Sequence, residues 1–172
     1  MNNNFNKINA EEISGNAIKM IGKEWMLITA GNINSFNTMT AAWGGLGFLW
    51  NLPVSYIFVR PQRYTYEFVE KNDYFTLSFF DKKYQEILKY CGAKSGKNVD
   101  KIKETGLIPV ETDNGNIFFQ QASLVIECKK IYYDDIDPKK FLLPKIQNSY
   151  PLKDYHRMYI GEIVECYLNN KI

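Results

Sequence analysis

Trp25-Met-Leu-Ile-Thr-Ala30 and, after a short interval, Phe36-Asn-Thr-Met-Thr-Ala-Ala-Trp43 carry the strongest evidence for the fold class. The first run is apolar and ends at a glycine, which is typical of a short buried strand. The second run places Thr38 and Thr40 two residues apart and stops at a pair of glycines, which predicts a strand of mixed polarity. The asparagine-rich residues 31–35 predict a turn between the two strands.

Similar patterns continue toward the C-terminus, where strands and helices are mixed along the chain. β-Branched, aromatic or alternating runs predict further strands at residues 54–59, 74–80, 121–133 and 155–168. Apolar spacing and capping residues predict helices at 62–71 and 82–91, and shorter ones that begin near Asn98 and at Asp137-Pro138. The run Asp113-Asn-Gly-Asn116 predicts a hairpin turn. Short strands, frequent turns and a few inserted helices favour a mainly β fold, an antiparallel barrel, over a parallel sheet.

The composition predicts one folded domain over residues 1–172. The chain has the length of a single domain, and its 45% hydrophobic residues are enough for a packed core. Aromatic residues reach 15%, which favours strands and pockets for flat ligands. The formal net charge of +2 is close to balance, so the sequence predicts no nucleic acid partner.

The three cysteines, Cys91, Cys128 and Cys166, lie far apart in the sequence. An odd number without a Cys-x-x-Cys pair predicts neither a disulfide framework nor a zinc site, and reduced thiols favour a cytoplasmic location. The first seven residues are polar, and no run of 18 apolar residues occurs. We therefore expect no signal peptide and no membrane partner.

Two glycine-containing segments invite comparison with nucleotide-binding motifs, and both fail. Gly44-Gly-Leu-Gly47 lacks the third glycine of the dinucleotide fingerprint, because that position holds Trp50. Gly92-Ala-Lys-Ser-Gly-Lys97 has the wrong glycine spacing for a P-loop, and Asn98 stands where Ser or Thr would hold magnesium.

Other motifs for catalysis or metal binding find no support either. His156 is the only histidine, so a histidine-rich metal site is excluded. No Gly-x-Ser-x-Gly nucleophile elbow occurs. The acidic residues Asp134, Asp135 and Asp137 are interpreted as a solvated loop. The sequence thus predicts no metal site.

Two segments remain as candidates for ligand binding: Asn37-Thr-Met-Thr-Ala-Ala-Trp43-Gly-Gly45 and Phe58-Val-Arg60-Pro-Gln-Arg63-Tyr64-Thr65. Hydroxyls beside small residues and glycines let an anionic ligand approach backbone N–H groups. Two arginines around a proline that opens a helix suit a phosphate, and Trp43 and Tyr64 could pack a flat ring. From the residues alone a second interpretation stays open, a barrel interior of Thr, Ala and Trp with arginines on the surface.

These segments also resemble the flavin reductase-like, FMN-binding split-barrel family, and within it the flavoredoxin-type proteins. The matching pieces are Phe36–Gly47, Phe58–Phe68, Phe75–Asp81, Cys91–Gly96, Asp100-Lys101, Leu124–Cys128 and Tyr155–Glu162. They follow one another in consistent order over residues 20–165, which is far more specific than one short motif. The resemblance implies an FMN-binding split β-barrel of Greek-key type, and a homodimer with FMN near the subunit interface.

Carried over by position, the resemblance also implies a cofactor site. The flavin is expected to be lined by backbone and side-chain donors of Asn37, Thr38, Met39, Thr40, Ala41 and Trp43. Phosphate and ribityl are expected to be surrounded by Arg60, Arg63 and Thr65. Ser95 and Lys97 are expected to reach the phosphate region, although relatives carry Arg where Lys97 stands. His156 and Tyr159 are expected near the ring.

The favoured function is that of an FMN-dependent oxidoreductase, either an NAD(P)H-dependent flavin reductase or a flavoredoxin-like electron carrier. Its electron donor is NAD(P)H or a redox protein, and the sequence does not distinguish the two. A non-catalytic flavin-binding module and a split barrel for haem or another ligand are the alternatives. Because no redox cysteine pair or nucleophile motif is present, we expect electrons to pass through the cofactor without a covalent protein intermediate.

Overall fold

The computed structural model describes residues 4–170, and its main element is an antiparallel sheet of eight strands. The strands of the chain are β1 Phe5–Ile8, β2 Met26–Asn32, β3 Ser35–Ala41, β4 Gly44–Leu49, β5 Leu52–Val59, β6 Tyr74–Phe79, β7 Pro109–Glu111, β8 Ile117–Phe119, β9 Leu124–Asp135 and β10 Arg157–Asn169. The large sheet has the order β3-β2-β6-β9-β10-β5-β4, with β1 paired to β10, while β7 and β8 form a separate hairpin.

Short helices are inserted between the strands. They are α1 Ala17–Lys19, which continues into a π-helical turn at Met20–Glu24, then α2 Tyr64–Lys71, α3 Gln85–Ala93 and α4 Lys101–Thr105. Turns of 3-10 helix lie at Ala10–Glu12, Lys82–Tyr84, Pro138–Lys140 and Pro144–Ser149. The predicted mainly β fold with inserted helices is therefore confirmed.

The sheet closes into a barrel that is open along one side. β3 and β4 are the two edges of the strand path, yet only Ala42 and Trp43 separate them in the chain. Since consecutive Cα atoms are about 3.8 Å apart, the end of β3 lies within about 11 Å of the start of β4. The sheet must therefore curl until its edges meet at this point, which leaves a split between β3 and β4.

The core has two parts, and β2 belongs to both. Met26 and Ile28 point into the barrel interior, where they join Phe75, Leu77 and Ile126. Leu27, on the opposite face, joins a second cluster with Leu88 of α3, Phe118 of β8 and Tyr167 of β10. Alternate residues of a strand point to opposite faces, so a strand covered on both faces is apolar throughout, as residues 26–30 largely are.

Two strands of the large sheet were not predicted, and β7 and β8 were indicated only by the turn between them. The sequence pattern predicts that the second strand ends at Gly44-Gly45, but β4 begins there and pairs with β5, with Gly44 opposite Ile57. Glycines carry no strand signal, and here the ring of Tyr56 covers them, since a Cβ on Gly45 or Gly47 would lie 3.5 or 3.4 Å from that ring. β1 lies in a polar segment and is fixed by Phe5, whose ring packs edge-on against Phe118 at 5.1 Å.

Most predicted boundaries agree with the structure to within a few residues. The hairpin turn at 113–116 joins β7 to β8, and the carboxylate of Asp137 caps a 3-10 turn as expected. The helix predicted near Asn98 begins later, at Lys101, because the Asp100 carboxylate accepts hydrogen bonds from the N–H groups of Ile102 and Lys103, both at 3.1 Å.

Candidate functional site

A cleft with a volume of about 550 Å³ lies at the split of the barrel. Its walls come from β3, the Ala42–Trp43 link, the start of α2, the segment after α3, and His156 just before β10. Ten of the residues predicted for the cofactor line it, namely Asn37, Met39, Thr40, Ala41, Trp43, Arg60, Arg63, Thr65, Ser95 and His156. Segments far apart in the sequence thus meet at one site.

The wall formed by β3 is fixed to the helices by side-chain hydrogen bonds. The Asn37 amide donates to the Thr65 hydroxyl on α2 at 2.7 Å, and the Thr40 hydroxyl donates to the Leu88 carbonyl on α3 at 2.5 Å. Both helices also pack against β3. Their ends are therefore held at fixed positions beside the cleft.

Gly96 is required where the segment after α3 meets β3. A Cβ on this residue would lie 2.0 Å from Asn37 Oδ1, which is far inside van der Waals contact. A larger residue would have to displace the Asn37 amide, which is bonded to Thr65, so only glycine leaves that side chain in place. The contact brings Ser95 and Gly96 into the wall of the cleft beside Asn37.

Lys101 is the most deeply buried cation at the cleft. Its side chain is only 6% exposed, and its ammonium donates to the carbonyls of Thr38 at 2.7 Å and Cys91 at 2.8 Å. Burial lowers the pKa of this lysine. Within residues 4–170 it forms no ion pair with a carboxylate, so its charge is balanced only by dipoles.

Arg63 adds a second cation whose charge is not neutralised. It stands at the N-cap of α2, and its guanidinium donates to the Gly92 carbonyl at 2.7 Å, which is an uncharged acceptor. The amino end of a helix carries partial positive charge and free N–H groups. This part of the cleft is consequently suited to an anion.

Arg60 has different partners. Its guanidinium donates to Asp154 Oδ2 at 2.6 Å and to the Ser149 carbonyl at 2.8 Å, and Gln62 donates to the same carboxylate oxygen. Burial alone would raise the pKa of Asp154, but the hydrogen bonds from Arg60 and Gln62 hold it below its ordinary value. Asp154 therefore already compensates the charge of Arg60.

An aromatic group forms another part of the cleft. The ring of His156 lies 4.8 Å from that of Trp43 and 6.5 Å from that of Phe58, measured between centroids. His156 Nδ1 is hydrogen-bonded to the Tyr150 hydroxyl at 2.9 Å. Burial, and then the positive charge of Arg60, lower the pKa of His156 to about 4, so the imidazole is neutral at pH 7.

Three of the predicted side chains lie outside this cleft. Thr38 is buried and donates to the Ile28 carbonyl of β2 at 3.2 Å. Lys97 pairs with Glu67 at 2.6 Å on the outer surface of α2. Tyr159 is fully buried and donates to Glu70 at 2.5 Å, near the far end of α2. Burial of the Thr38 hydroxyl against β2 keeps it out of the cleft, and the inward register of β10 explains Tyr159.

Several cleft residues were not predicted as site residues. They are Ala42, Phe58, Gln62, Ala93, Lys94, Gly96 and Lys101, while Tyr64, considered only as a ring-packing candidate, also lines the cleft. The signal for Lys101 was the Asp100-Lys101 piece of the resemblance. A lysine in the first turn of a helix is ordinarily exposed, so its burial could not be deduced from spacing.

The cysteines and the potential metal ligands bear on two other chemistries, thiol catalysis and metal binding. Cys91, Cys128 and Cys166 are free and buried, and burial raises the pKa of Cys91 to about 11. A thiol of that kind is not a ready nucleophile. Among residues 4–170, no three potential ligands of the His, Cys, Asp or Glu type gather around a possible metal. Over the same range, no helix has the length and apolar character needed to cross a membrane.

The fold defines a class of protein, a split barrel with a cleft at its opening. The model of the family described as flavin reductase like domain matches residues 20–172. The chain therefore belongs to the flavin reductase-like family, which confirms the resemblance stated above. No curated protein sequence matches the chain.

Solved structures agree with this assignment. Flavoredoxin of Desulfovibrio vulgaris (Miyazaki F) is 26% identical with a TM-score of 0.67, over 86% of this chain and 70% of that chain. An FMN-binding domain of a flavin reductases-like enzyme from Shewanella baltica OS155 is 18% identical with a TM-score of 0.72, over 100% and 81%. A protein described as having a split barrel domain, from Shewanella frigidimarina NCIMB 400, is 18% identical with a TM-score of 0.66, over 90% and 73%. The predicted split β-barrel is confirmed.

Proposed function

We propose that the chain binds FMN in the cleft at the barrel split and acts as an FMN-dependent oxidoreductase or electron-transfer flavoprotein. The observation that carries this proposal is the pairing of two uncompensated cations with a flat aromatic group in one cleft. Arg63 and Lys101 supply the cations, and Trp43, Phe58 and His156 supply the aromatic group. Bound flavin supplies the redox chemistry, in which it accepts electrons from a donor and passes them to an acceptor.

The residues present fit the phosphate of such a cofactor. Arg63, Ser95 and Lys101 offer charged and hydroxyl donors, and Gly96 lines the same part of the cleft. Charge-assisted hydrogen bonds to phosphate are stronger than neutral ones, so these groups would contribute much of the affinity. The cleft offers this set for one terminal phosphate, which supports FMN rather than FAD.

The fit to the isoalloxazine ring depends on neutral groups. Trp43 is 46% exposed, so its indole is open to a flat partner as well as to His156. Since His156 is neutral, it can present a hydrogen-bond donor at the cleft without adding a charge. The backbone of residues 39–43 borders the same space and offers further donors.

The electron donor is NAD(P)H or a redox protein. No dinucleotide fingerprint follows any strand of the sequence, so a nicotinamide would have to stack on an accessible face of the flavin. The three cysteines are buried and free, which supports a reducing, cytoplasmic setting. The work of the protein would then be to bind, orient and shield the cofactor.

The proposed functional form is a homodimer. Ile160 of β10 lies between Tyr56 of β5 and Tyr132 of β9 on the outer face of the sheet, where Ile160 is buried and Tyr132 is exposed. Trp50 packs beside Tyr132 with ring centroids 6.0 Å apart, and both rings are exposed. Apolar aromatic surface of this kind marks association, and a two-fold pair is the commonest way to cover it. A stable monomer in light scattering, with FMN bound, would exclude the dimer.

The function is tested on purified protein. Cofactor released by denaturation is separated by chromatography, and FMN is expected rather than FAD. The loaded protein is then titrated without oxygen with NADH, NADPH and a reduced redox protein, while the flavin absorbance is followed. Rapid bleaching by one donor supports the oxidoreductase. Protein that stays colourless after incubation with FMN contradicts the proposal, and flavin that no donor reduces favours the non-catalytic module.

A further inference from the structure

The connection between β9 and β10 carries an unusual surface. Residues 137–153, named here the lysine–leucine segment, contain two 3-10 turns and no strand. Leu142 is 94% exposed and Leu152 is 81% exposed, with Leu143 and Ile146 also accessible. Isolated exposed leucines are ordinary, but several exposed apolar side chains on one short segment are typical of a binding surface.

The same segment is positively charged. Its lysines are all exposed, and they are Lys139, Lys140, Lys145 and Lys153. Within the described residues none of them forms an ion pair. The one acid of the segment, Asp137, is used as a helix cap, and the adjacent Asp154 is bound to Arg60. Apolar side chains surrounded by unpaired lysines resemble the centre and rim of a protein interface.

The segment is attached to the mouth of the cleft. Tyr150 is buried, and besides its bond to His156 it lies 6.4 Å from Trp43 between ring centroids. The Arg60 guanidinium lies 5.2 Å from the centre of the Tyr150 ring and also binds the Ser149 carbonyl. The ring of Phe141 stacks on Tyr150 at 6.0 Å. A molecule bound to the exposed side of the segment would therefore lie beside the cleft.

We propose that the lysine–leucine segment is the docking surface for an acidic, one-electron redox protein that exchanges electrons with the flavin. The proposal rests on the proposed function. Complementary charge brings such partners together quickly and orients them, while the leucines supply the contact area. Each encounter oxidises one reduced partner molecule by one electron, and two encounters supply the two electrons of full flavin reduction, with protons taken from water.

Two other occupants fit less well. A second copy of the chain, placed by a two-fold axis through the segment, would bring the segment against itself and oppose like charges. An anionic membrane would match the charge and the leucines, but it would not account for the attachment of the segment to the cleft. Both become outcomes of the test.

The test compares two variants with the same change in charge. In one, Lys139, Lys140, Lys145 and Lys153 are changed to Gln; in the control, the exposed lysines Lys23, Lys71, Lys82 and Lys103 are changed to Gln. The probe is an acidic [2Fe–2S] ferredoxin, reduced and freed of reductant, mixed with FMN-loaded protein in a stopped-flow instrument. The bimolecular rate at low salt should fall about tenfold in the segment variant and by much less in the control.

Further readouts separate the possible failures. Wild-type protein should slow with added salt, and the segment variant should lose most of that dependence. Equal rates in the two variants overturn the docking proposal. Loss of the dimer in the segment variant also overturns it, because the segment would then be a dimer interface. A segment variant that no longer binds anionic phospholipid vesicles but keeps its rate with ferredoxin overturns it as well. FMN content and reduction by dithionite should be normal in both variants. If wild-type protein itself retains no FMN or is not reduced by dithionite, the proposed function fails, and the docking proposal with it.

Discussion

Arg60 and Lys101 both bring a positive charge to the cleft, but their surroundings differ. Arg60 lies near the mouth and is paired with Asp154 at 2.6 Å. Lys101 is buried deeper and is held by two backbone carbonyls. Arg63 belongs with Lys101 in this respect, because its partner is the carbonyl of Gly92.

The difference shows that counting cations around a cleft does not locate an anion site. A carboxylate already satisfies Arg60, so a phosphate there would have to compete with Asp154. The dipoles around Lys101 and Arg63 leave a net positive charge, and an anion close to them gains the full charge-assisted interaction. The phosphate of the proposed cofactor is therefore expected on the side of Lys101 and Arg63.

The largest expected effect is on the Lys101 side. Lys101→Met leaves the carbonyls of Thr38 and Cys91 without their donor, and buried acceptors left unsatisfied cost stability. The free energy of unfolding in urea should fall by roughly 2–4 kcal/mol. The control is Lys103→Met, two residues away and exposed, which should change little. Equal stability of the two variants would show that Lys101 does not hold the wall together.

On the side of Arg60, His156 is expected to make the free energy of unfolding depend on pH. Its folded pKa of about 4 lies below the ordinary 6.5, so the unfolded chain binds the proton more tightly. Stability is therefore full above pH 6.5 and declines as the pH falls, by about 2 kcal/mol between pH 6.5 and 5. His156→Gln removes this term, and since the chain has one histidine, the variant should show a flatter dependence. Parallel curves for wild type and variant would refute a neutral, buried His156.

A smaller effect is expected from Tyr159, which lies outside the cleft. Its hydroxyl donates to Glu70 at the last turns of α2, the helix whose first residues reach the cleft. Tyr159→Phe should lower stability by about 0.5–1.5 kcal/mol and leave FMN affinity within about threefold. Tyr132→Phe, on the exposed outer face, is the control for loss of a hydroxyl. A large loss of FMN affinity in Tyr159→Phe alone would return Tyr159 to the cofactor site.

Much of the fold could be predicted because its signals are local. The apolar run of β2 and the spacing of α2 and α3 each come from burial on a regular element, which sequence periodicity records. β4 could not be found this way, since its glycines depend on the ring of Tyr56 from the neighbouring strand. Such a contact exists only once the sheet has formed.

The site was predicted less completely for a related reason. Asn37, Arg63 and Thr65 stand in segments whose residue types suit a phosphate, and the structure brings them to one cleft. The burial of Lys101 and the partnership of Arg60 with Asp154, 94 residues later, arise from tertiary contacts that no spacing reveals. Thr38 has a residue type that suits the site, but its hydroxyl is bonded to β2 instead of facing the cleft.

The position of the phosphate is tested most directly by the FMN affinity of two variants. One lacks Arg63, and the other lacks both Arg60 and its partner Asp154. Arg63→Ala removes an uncompensated charge, so the dissociation constant measured by fluorescence titration should rise about 10- to 100-fold. Arg60→Ala combined with Asp154→Ala removes a neutral pair and should change it by less than about threefold. A double variant that loses as much affinity as Arg63→Ala, or an Arg63→Ala variant with unchanged affinity, would contradict the placement of the phosphate beside Arg63 and Lys101.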